Sequence, residues 1–180
     1  MAAEVMERKG RDLSTLRALS VGCGPLCDED AVGVDRDLGS AADVFHDLNA
    51  YPWPFADKRF EEVRLSHVLE HLEDPDRAVR EAHRVARAGG RVVVVTPHFS
   101  SYESYGDITH RFHFGLVTFK PYCTGPRPSF RLGSRQLAFG SSPLCWPGRL
   151  LAALSMDLYE KYFCWLFPGR NMRFVLEVVK

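Results

Sequence analysis

The feature that most constrains this chain is a series of short apolar runs that end in glycine or in an acid. Residues 16–21 (LRALSV) lead into a Gly-Cys-Gly stretch, and residues 31–35 (AVGVD) end in Asp35. Residues 91–97 (RVVVVTP) form a longer apolar run with no polar face. Such runs are typical of strands buried on both faces, as in a parallel sheet. The first half of the chain therefore predicts an α/β fold with a mostly parallel sheet.

Further segments supply the other elements of such a fold. Four more strands are predicted, over residues 42–47, 62–66, 130–139 and 172–179. A helix is predicted over 74–87, because Asp74 can cap it, Pro75 suits its first position and two glycines follow it. A second, longer helix is predicted over 147–167. These elements predict a Rossmann-like, mostly parallel seven-stranded sheet with a C-terminal antiparallel strand.

The connection between the first two strands is unusually short. Only six residues (PLCDED, 25–30) follow the glycines, about two helical turns at most, and three of them are acids. The fold should therefore have a shortened first helix and little apolar cover over these strands. We expect that cover from the 147–167 helix, from the N-terminus or from a partner subunit. Because the 147–167 helix is apolar on more than one face, a homodimer through its second face is an alternative to simple packing on the sheet.

The composition is that of an ordinary globular protein, and residues 1–180 are expected to form a single domain. The 180 residues are 46% hydrophobic and 26% charged, with 23 basic residues against 23 acidic ones. Without a basic excess we expect no nucleic-acid partner, and without an apolar run of about 20 residues we expect no membrane span. Five cysteines without a Cys-x-x-Cys pair favour a reduced, cytoplasmic setting. The first 17 residues lack the apolar core of a signal peptide.

The ends of the first three strands carry residues suited to a nucleoside. Gly22 and Gly24 would let a ligand approach the backbone closely after the first strand. Asp35 ends the second strand, where a carboxylate can accept hydrogen bonds from both ribose hydroxyls. Asp47 ends the third and could meet an adenine amino group. Because ligands of open α/β sheets bind at the carboxyl edge, these residues predict a nucleoside site.

Several motifs resemble, in order, those of the small type-11 class I S-adenosylmethionine-dependent methyltransferases: LSVGCGP, AVGVD, FHDLN and RLSHVLEHLEDPDRAVREAHRVARAGGRVVVVTPH. The resemblance covers about residues 16–100 and implies S-adenosylmethionine as cofactor. By position it implies that Gly22, Cys23 and Gly24 line the methionine part of the cofactor, with Val21 also among the cofactor-binding residues. It places Asp35 at the ribose, Arg36 beside the adenine, and Asp47 and Leu48 at the adenine. Ser66 and His67 would border the methionine and the transferred methyl group.

Two positions depart from the family pattern. Ser20 stands where the family usually has an acid, and Pro25 and Leu26 follow Gly24 where a third glycine is usual. A dinucleotide-binding Gly-x-Gly-x-x-Gly motif would need glycine at Cys27. Three functions therefore stay open: a methyltransferase, a non-catalytic binding or scaffold protein of the same fold, and a dinucleotide-linked oxidoreductase.

Residues 97–119, here called the excursion, are polar, aromatic and rich in histidine. They follow the fifth strand, where the family meets its substrate, so the excursion is expected to face the acceptor. His110 and His113 are the candidate general bases, since histidine titrates near neutral pH. A solvated loop is the alternative. A metal site of Asp107, His110 and His113 would lack a known ligand spacing, so we assign no metal ligand.

The stretch HVLEH (67–71) also matches an inverted zinc-protease pattern. Because it follows a buried strand, we assign Glu70 and His71 a structural role at a helix start. The family's Asn/Asp-Pro-Pro-Tyr motif for amines of bases or of glutamine is replaced here by SHVL. A small-molecule acceptor is therefore expected, with its accepting atom left open.

Overall fold

A computed structural model describes residues 11–180, and a seven-stranded sheet runs through them. The strands are β1 (Ala18–Val21), β2 (Ala31–Asp35), β3 (Val44–Phe45), β4 (Phe60–Ser66), β5 (Ala86–Pro97), β6 (Phe130–Leu137) and β7 (Asn171–Val178). Their order is β3-β2-β1-β4-β5-β7-β6, and β7 alone runs antiparallel to its neighbours. The predicted fold class is confirmed. The third strand is shorter than the predicted 42–47.

Five α-helices lie in the described chain: α1 (Pro75–Val85), α2 (Tyr102–Gly106), α3 (Lys120–Cys123), α4 (Trp146–Leu154) and α5 (Met156–Tyr162). Short 3₁₀ turns span Leu69–His71 and Pro143–Cys145. None of the helices described here is long and apolar enough to cross a membrane.

Helix α1 forms where its capping residues predict it. The Asp74 side chain accepts a hydrogen bond from the Arg77 backbone N–H, 2.9 Å away, and Pro75 opens the first turn. Its apolar positions, Ala78, Val79, Ala82 and Val85, are buried against the sheet. The helix ends at Val85, before the two glycines expected to stop it, because Ala86 already pairs with Phe60 of β4.

One face of the sheet carries the main core. Alternate residues of β4 and β7 point into it, and aromatic residues of the loop between β3 and β4 close it. Trp53 is 2% exposed, and its indole N–H donates to the Leu48 carbonyl. This loop therefore gives the core apolar cover where no helix connects β3 to β4.

The opposite face, here called the open face, is polar. Arg64 on β4 pairs with Asp30 at 2.8 Å and Asp28 at 3.0 Å, and it also contacts Glu62. Glu62 pairs further with Arg91 on β5. A face carrying charged side chains needs little apolar cover, which is why the sheet tolerates so short a connection between β1 and β2.

That connection contains no helix at all: residues 22–30, all described, form turns. They lie directly over β2, where a Cβ built on Gly33 would approach the sulfurs of Cys23 and Cys27. The expected shortened first helix is thus replaced by a loop packed on a glycine. Residues 1–10, the N-terminal candidate for this cover, lie outside the described residues.

The prediction for residues 147–167 was wrong in two respects. The segment forms α4 and α5, because Ser155 between them is extended (φ −162°, ψ 113°) and caps α5. These helices pack on Phe99, Leu137 and Phe139, near β6, and not over β1 and β2. Their tertiary position is set by Tyr159, which is fully buried and donates from its hydroxyl to the Phe167 carbonyl.

Candidate functional site

The carboxyl ends of β1, β2 and β4 meet at one edge of the sheet, as the parallel pairing requires. Gly22 follows β1, Asp35 ends β2, and His67 follows β4. A cavity of about 200 Å³ opens between them and is here called the central cavity. Its lining residues are Gly22, Asp35, Arg36, Asp47, Leu48, Asn49, His67, Val68, His71 and Leu72.

Gly22 is required by both its conformation and its surroundings. Its φ is +62°, in the left-handed region, and its N–H donates to the Val34 carbonyl at 2.7 Å. A Cβ at this position would lie 2.5 Å from a methyl group of Val68. The tight turn therefore lets β1 end directly against the central cavity.

Gly24 and Asp35 are joined across the site. Gly24 has φ +61°, and nothing lies within 4 Å of where its Cβ would stand, so the space over this glycine is open. Its N–H donates to Oδ2 of Asp35 at 2.8 Å, and the Asp37 N–H donates to Oδ1 at 2.9 Å. Each carboxylate oxygen can accept two hydrogen bonds and here accepts one, so both retain one acceptor position for a ligand.

Asp47 lies two residues beyond β3 and is exposed, with its Oδ1 accepting from the Asn49 N–H at 3.0 Å. Leu48 beside it is 7% exposed and presents an apolar wall. A carboxylate next to an apolar surface suits an adenine ring, which has a polar edge and apolar faces.

A second cavity, of about 410 Å³, lies on the open face of the sheet, near the carboxyl ends of β1 and β4. It is here called the open-face cavity. Val21, Gly22, Cys23 and Ser66 contribute to it, together with Arg173 of β7. No hydrogen bond or ion pair engages the Arg173 guanidinium among the described residues. Sequence reasoning missed Arg173, because β7 carries no motif and only its pairing with Val95 of β5 brings it to this edge.

His67 connects the central cavity to a third one. It has φ +54°, rare for a residue with a side chain, and it also lines a cavity of about 380 Å³ with Pro97, Tyr102, Glu103, Gly106, Asp107 and His110. This third space is here called the excursion cavity. Nδ1 of His67 lies 3.3 Å from Oε1 of Glu70, and the nearby carboxylate raises the pKa of His67.

The two candidate bases of the excursion occupy different places. His110 is largely buried and lines the excursion cavity beside His67. His113 is exposed, stacks on Tyr105 with ring centroids 4.0 Å apart, and bonds to the Ser104 hydroxyl at 2.8 Å. The geometry therefore favours His110 over His113 as a residue that meets a ligand.

Cys23 is the one thiol among the predicted cofactor residues. Burial, then the neighbouring Cys27, raises its pKa well above the ordinary range. It therefore stays a neutral thiol near pH 7, which suits contact with a ligand and not nucleophilic attack.

The dinucleotide-binding and zinc-protease patterns each require a helix that the described chain does not form at these positions. A dinucleotide site places the pyrophosphate on a helix N-terminus after the glycine loop, and residues 22–30 contain no helix. The zinc-protease pattern needs its two histidines on one helix, but His67 lies before the 3₁₀ turn that contains His71. Glu70 itself is 1% exposed, in line with a structural position.

Comparison with known proteins gives a consistent result. Residues 19–94 match the family model described as a methyltransferase domain. The chain is 36% identical over 83 residues to the ubiquinone/menaquinone biosynthesis C-methyltransferase UbiE of Haemophilus ducreyi, covering 46% of this chain and 32% of that protein. It thus spans about a third of the length of the curated relatives it matches.

Solved structures share the fold over most of the chain. A SAM-dependent methyltransferase from Archaeoglobus fulgidus aligns with a TM-score of 0.59 and 22% identity, covering 92% of this chain and 87% of that one. The [4+2]-cyclase SpnF aligns with a TM-score of 0.58 and 18% identity, covering 91% and 74%. The matched domain, the strand order and the glycine–acid edge agree: residues 19–94 are similar to a methyltransferase domain, and the described chain has the fold of the S-adenosylmethionine-dependent methyltransferases.

Proposed function

We propose that this chain transfers a methyl group from S-adenosylmethionine to a small-molecule acceptor. The observation that carries the proposal is the continuity of the three cavities along the carboxyl edge. Gly22 lines both the central and the open-face cavity, and His67 lines both the central and the excursion cavity. A ligand with a nucleoside end, an amino-acid end and a reactive centre between them fits such an edge.

Each part of the cofactor meets suitable groups in this arrangement. Asp35 keeps a free acceptor position on each oxygen for the ribose hydroxyls, and Leu48 with Asp47 faces the adenine. Arg173, in the open-face cavity, offers a guanidinium to the methionine carboxylate. The open space over Gly24 leaves room for the part of the cofactor that joins its adenosine to its methionine carboxylate.

When bound, the cofactor supplies an electrophilic methyl group on a sulfonium. The protein's part is then to hold the acceptor in line, exclude water and take up a proton where the acceptor releases one. His67 lies where the two cavities meet, so it borders the reacting atoms. His110, deeper in the excursion cavity, is placed to orient the acceptor or to receive its proton.

A small acceptor is supported by the volume of this space. The excursion cavity holds about 380 Å³ between β5 and α2, which suits a metabolite. A cytoplasmic setting is part of the same proposal, because none of the five cysteines forms a disulfide bond.

Titration calorimetry with S-adenosylmethionine, S-adenosylhomocysteine and NAD⁺ tests the proposal. We expect binding of the first two and none of NAD⁺. Loss of hydrogen bonds to a charged group costs about 1.5–3 kcal/mol, so Asp35→Ala should weaken binding roughly ten- to a hundredfold. Asp37→Ala is the matched control, since Asp37 lies in the same loop and lines none of the three cavities.

Equal affinity in the Asp35→Ala variant and the unchanged protein would contradict the assignment. Binding of NAD⁺ alone would favour the oxidoreductase. Cofactor binding with no release of S-adenosylhomocysteine across a broad panel of small acceptors would favour the non-catalytic binding protein.

A further inference from the structure

Three side chains with metal-ligand chemistry meet between the loop after β4 and the excursion. Glu70, His71 and His110 each present one ligand atom, and these atoms lie within 4.8 Å of one another. We propose that they bind a divalent transition metal ion such as Zn²⁺. Two imidazoles and one carboxylate form a ligand set that such ions accept.

Glu70 supplies the strongest reason for a cation here. It is 1% exposed, and its Oε2 accepts a hydrogen bond from the Thr96 hydroxyl at 3.3 Å. Its Oε1 is buried and accepts no hydrogen bond; the one imidazole facing it, that of His67, has Nδ1 3.3 Å away, at ion-pair distance. A buried carboxylate oxygen with no donor is costly, and a bound cation would remove that cost.

The hydrogen bonds of His71 fix which of its nitrogens is free. Nδ1 lies 2.8 Å from the Thr109 hydroxyl, and that hydroxyl donates its single proton to Asp107 at 2.6 Å. The hydroxyl must therefore accept from His71, so Nδ1 carries the hydrogen. In the neutral ring this leaves the Nε2 lone pair available to a metal.

His110 is held in the same tautomer by a different partner. Its Nδ1 lies 3.0 Å from the Ser104 carbonyl oxygen, which can only accept, so Nδ1 again carries the hydrogen. Both histidines therefore have the outer hydrogen bond that metal-binding histidines typically make. The two rings lie edge to face, with centroids 4.7 Å apart.

Small movements would complete the site. Zinc–ligand bonds of about 2.0–2.2 Å in a tetrahedron put ligand atoms about 3.4 Å apart, so the widest pair must close by about 1.4 Å. The excursion already reaches back to this loop, because the Arg111 N–H donates to the Glu70 carbonyl at 2.7 Å. Rotations of the His71 and His110 side chains would have to supply this closure.

The position of this site relates it to the proposed reaction. His71 lines the central cavity and His110 the excursion cavity, so an ion between them would lie next to the acceptor. Three protein ligands leave a coordination position open, and a hydroxyl bound there loses its proton more readily. With the ion bound, His110 acts as its ligand and no longer as a proton acceptor. This role, which favours a hydroxyl-bearing acceptor, rests on the proposed function; metal binding itself does not.

The test uses the full chain, stripped with a chelator and titrated with Zn²⁺ in competition with a chromophoric chelator. We expect one site, and a loss of affinity of at least about a hundredfold in both His71→Gln and His110→Gln. His83→Gln, on the far end of α1, should bind Zn²⁺ as the unchanged protein does. Thr109→Val should weaken binding about ten- to a hundredfold, because it releases the His71 ring.

Co²⁺ provides a second readout that does not depend on activity. A site of nitrogen and oxygen ligands gives d–d absorption without a sulfur-to-metal charge-transfer band. No stoichiometric binding, affinity unchanged in both histidine variants, or a sulfur charge-transfer band would each overturn the proposal. S-adenosylhomocysteine binding is measured on the same samples. If S-adenosylhomocysteine binds and the metal does not, the metal inference fails and the proposed function stands; if the metal binds and S-adenosylhomocysteine does not, the proposed function fails.

Discussion

Gly33, in the middle of β2, shows how this sheet manages without its first crossover helix. The loop of residues 22–30 presses two thiols onto it, so a Cβ would stand 2.9 Å from the Cys23 sulfur and closer still to that of Cys27. The residue has no positive φ, so the requirement for glycine here is purely one of space. At this point a single loop, residues 22–30, covers β2.

Replacing that glycine should therefore destabilise the protein by overpacking. Gly33→Ala is expected to lower the free energy of unfolding by about 1–3 kcal/mol, measured by urea denaturation. The cost should be smaller in a Cys27→Ala background, because the nearer sulfur is then absent. Gly106→Ala is the control, since its Cβ would meet nothing closer than 3.9 Å. Equal costs with and without Cys27 would contradict this packing.

At the scale of elements, helix α1 is joined to the end of the chain through His83. Its Nε2 lies 2.7 Å from the Val179 carbonyl, so Nε2 carries the hydrogen, and Lys180 Nζ lies 3.5 Å from Nδ1. Burial, then the positive charge of Lys180, lowers the pKa of His83. The ring therefore connects α1 to the residue after β7 through Nε2, and protonation at Nδ1 places a second positive charge beside Lys180 in a partly buried position.

This contact predicts a pH dependence of stability with a definite sign. Above about pH 6.5 His83 is neutral in both the folded and the unfolded protein. Below that pH the unfolded chain binds a proton at His83 more readily than the folded protein does, because the pKa of His83 is lower in the folded protein. The free energy of unfolding should therefore fall as pH drops from 7.5 to 5.5, and fall less in His83→Gln. Urea titrations of both proteins at the two pH values measure the difference. A pH effect of the same size in both would rule out the role given to His83.

At the scale of the molecule, α4, α5 and the residues that follow α5 leave several large apolar side chains exposed in the described chain. Leu154 is 77% exposed and Trp165 67% exposed, with Leu150, Leu158 and Leu166 beside them in sequence. Large apolar side chains exposed on one surface are typical of an interface. We propose that it pairs with the same surface of a second copy, in a symmetric dimer.

Sedimentation velocity at micromolar concentration should then show a dimer. Leu154→Asp should give a monomer with little change in melting temperature, because the side chain contributes little to the core. Leu38→Asp is a matched control, since Leu38 is also 77% exposed but lies in the loop after β2. A monomer for the unchanged protein, or a dimer that survives Leu154→Asp, would contradict the proposal.

The sequence by itself determined the sheet, helix α1 and most of the central cavity. These depend on local signals: apolar runs, the Asp74–Pro75 cap, and glycines and acids that parallel pairing must bring to one edge. Only the tertiary structure decided how α4 and α5 pack, that the open face is polar, and that Arg173 reaches the cofactor edge. It alone also brought Glu70, His71 and His110 together. These features arise from side chains distant in the chain, whose proximity depends on packing and has no local pattern that predicts it.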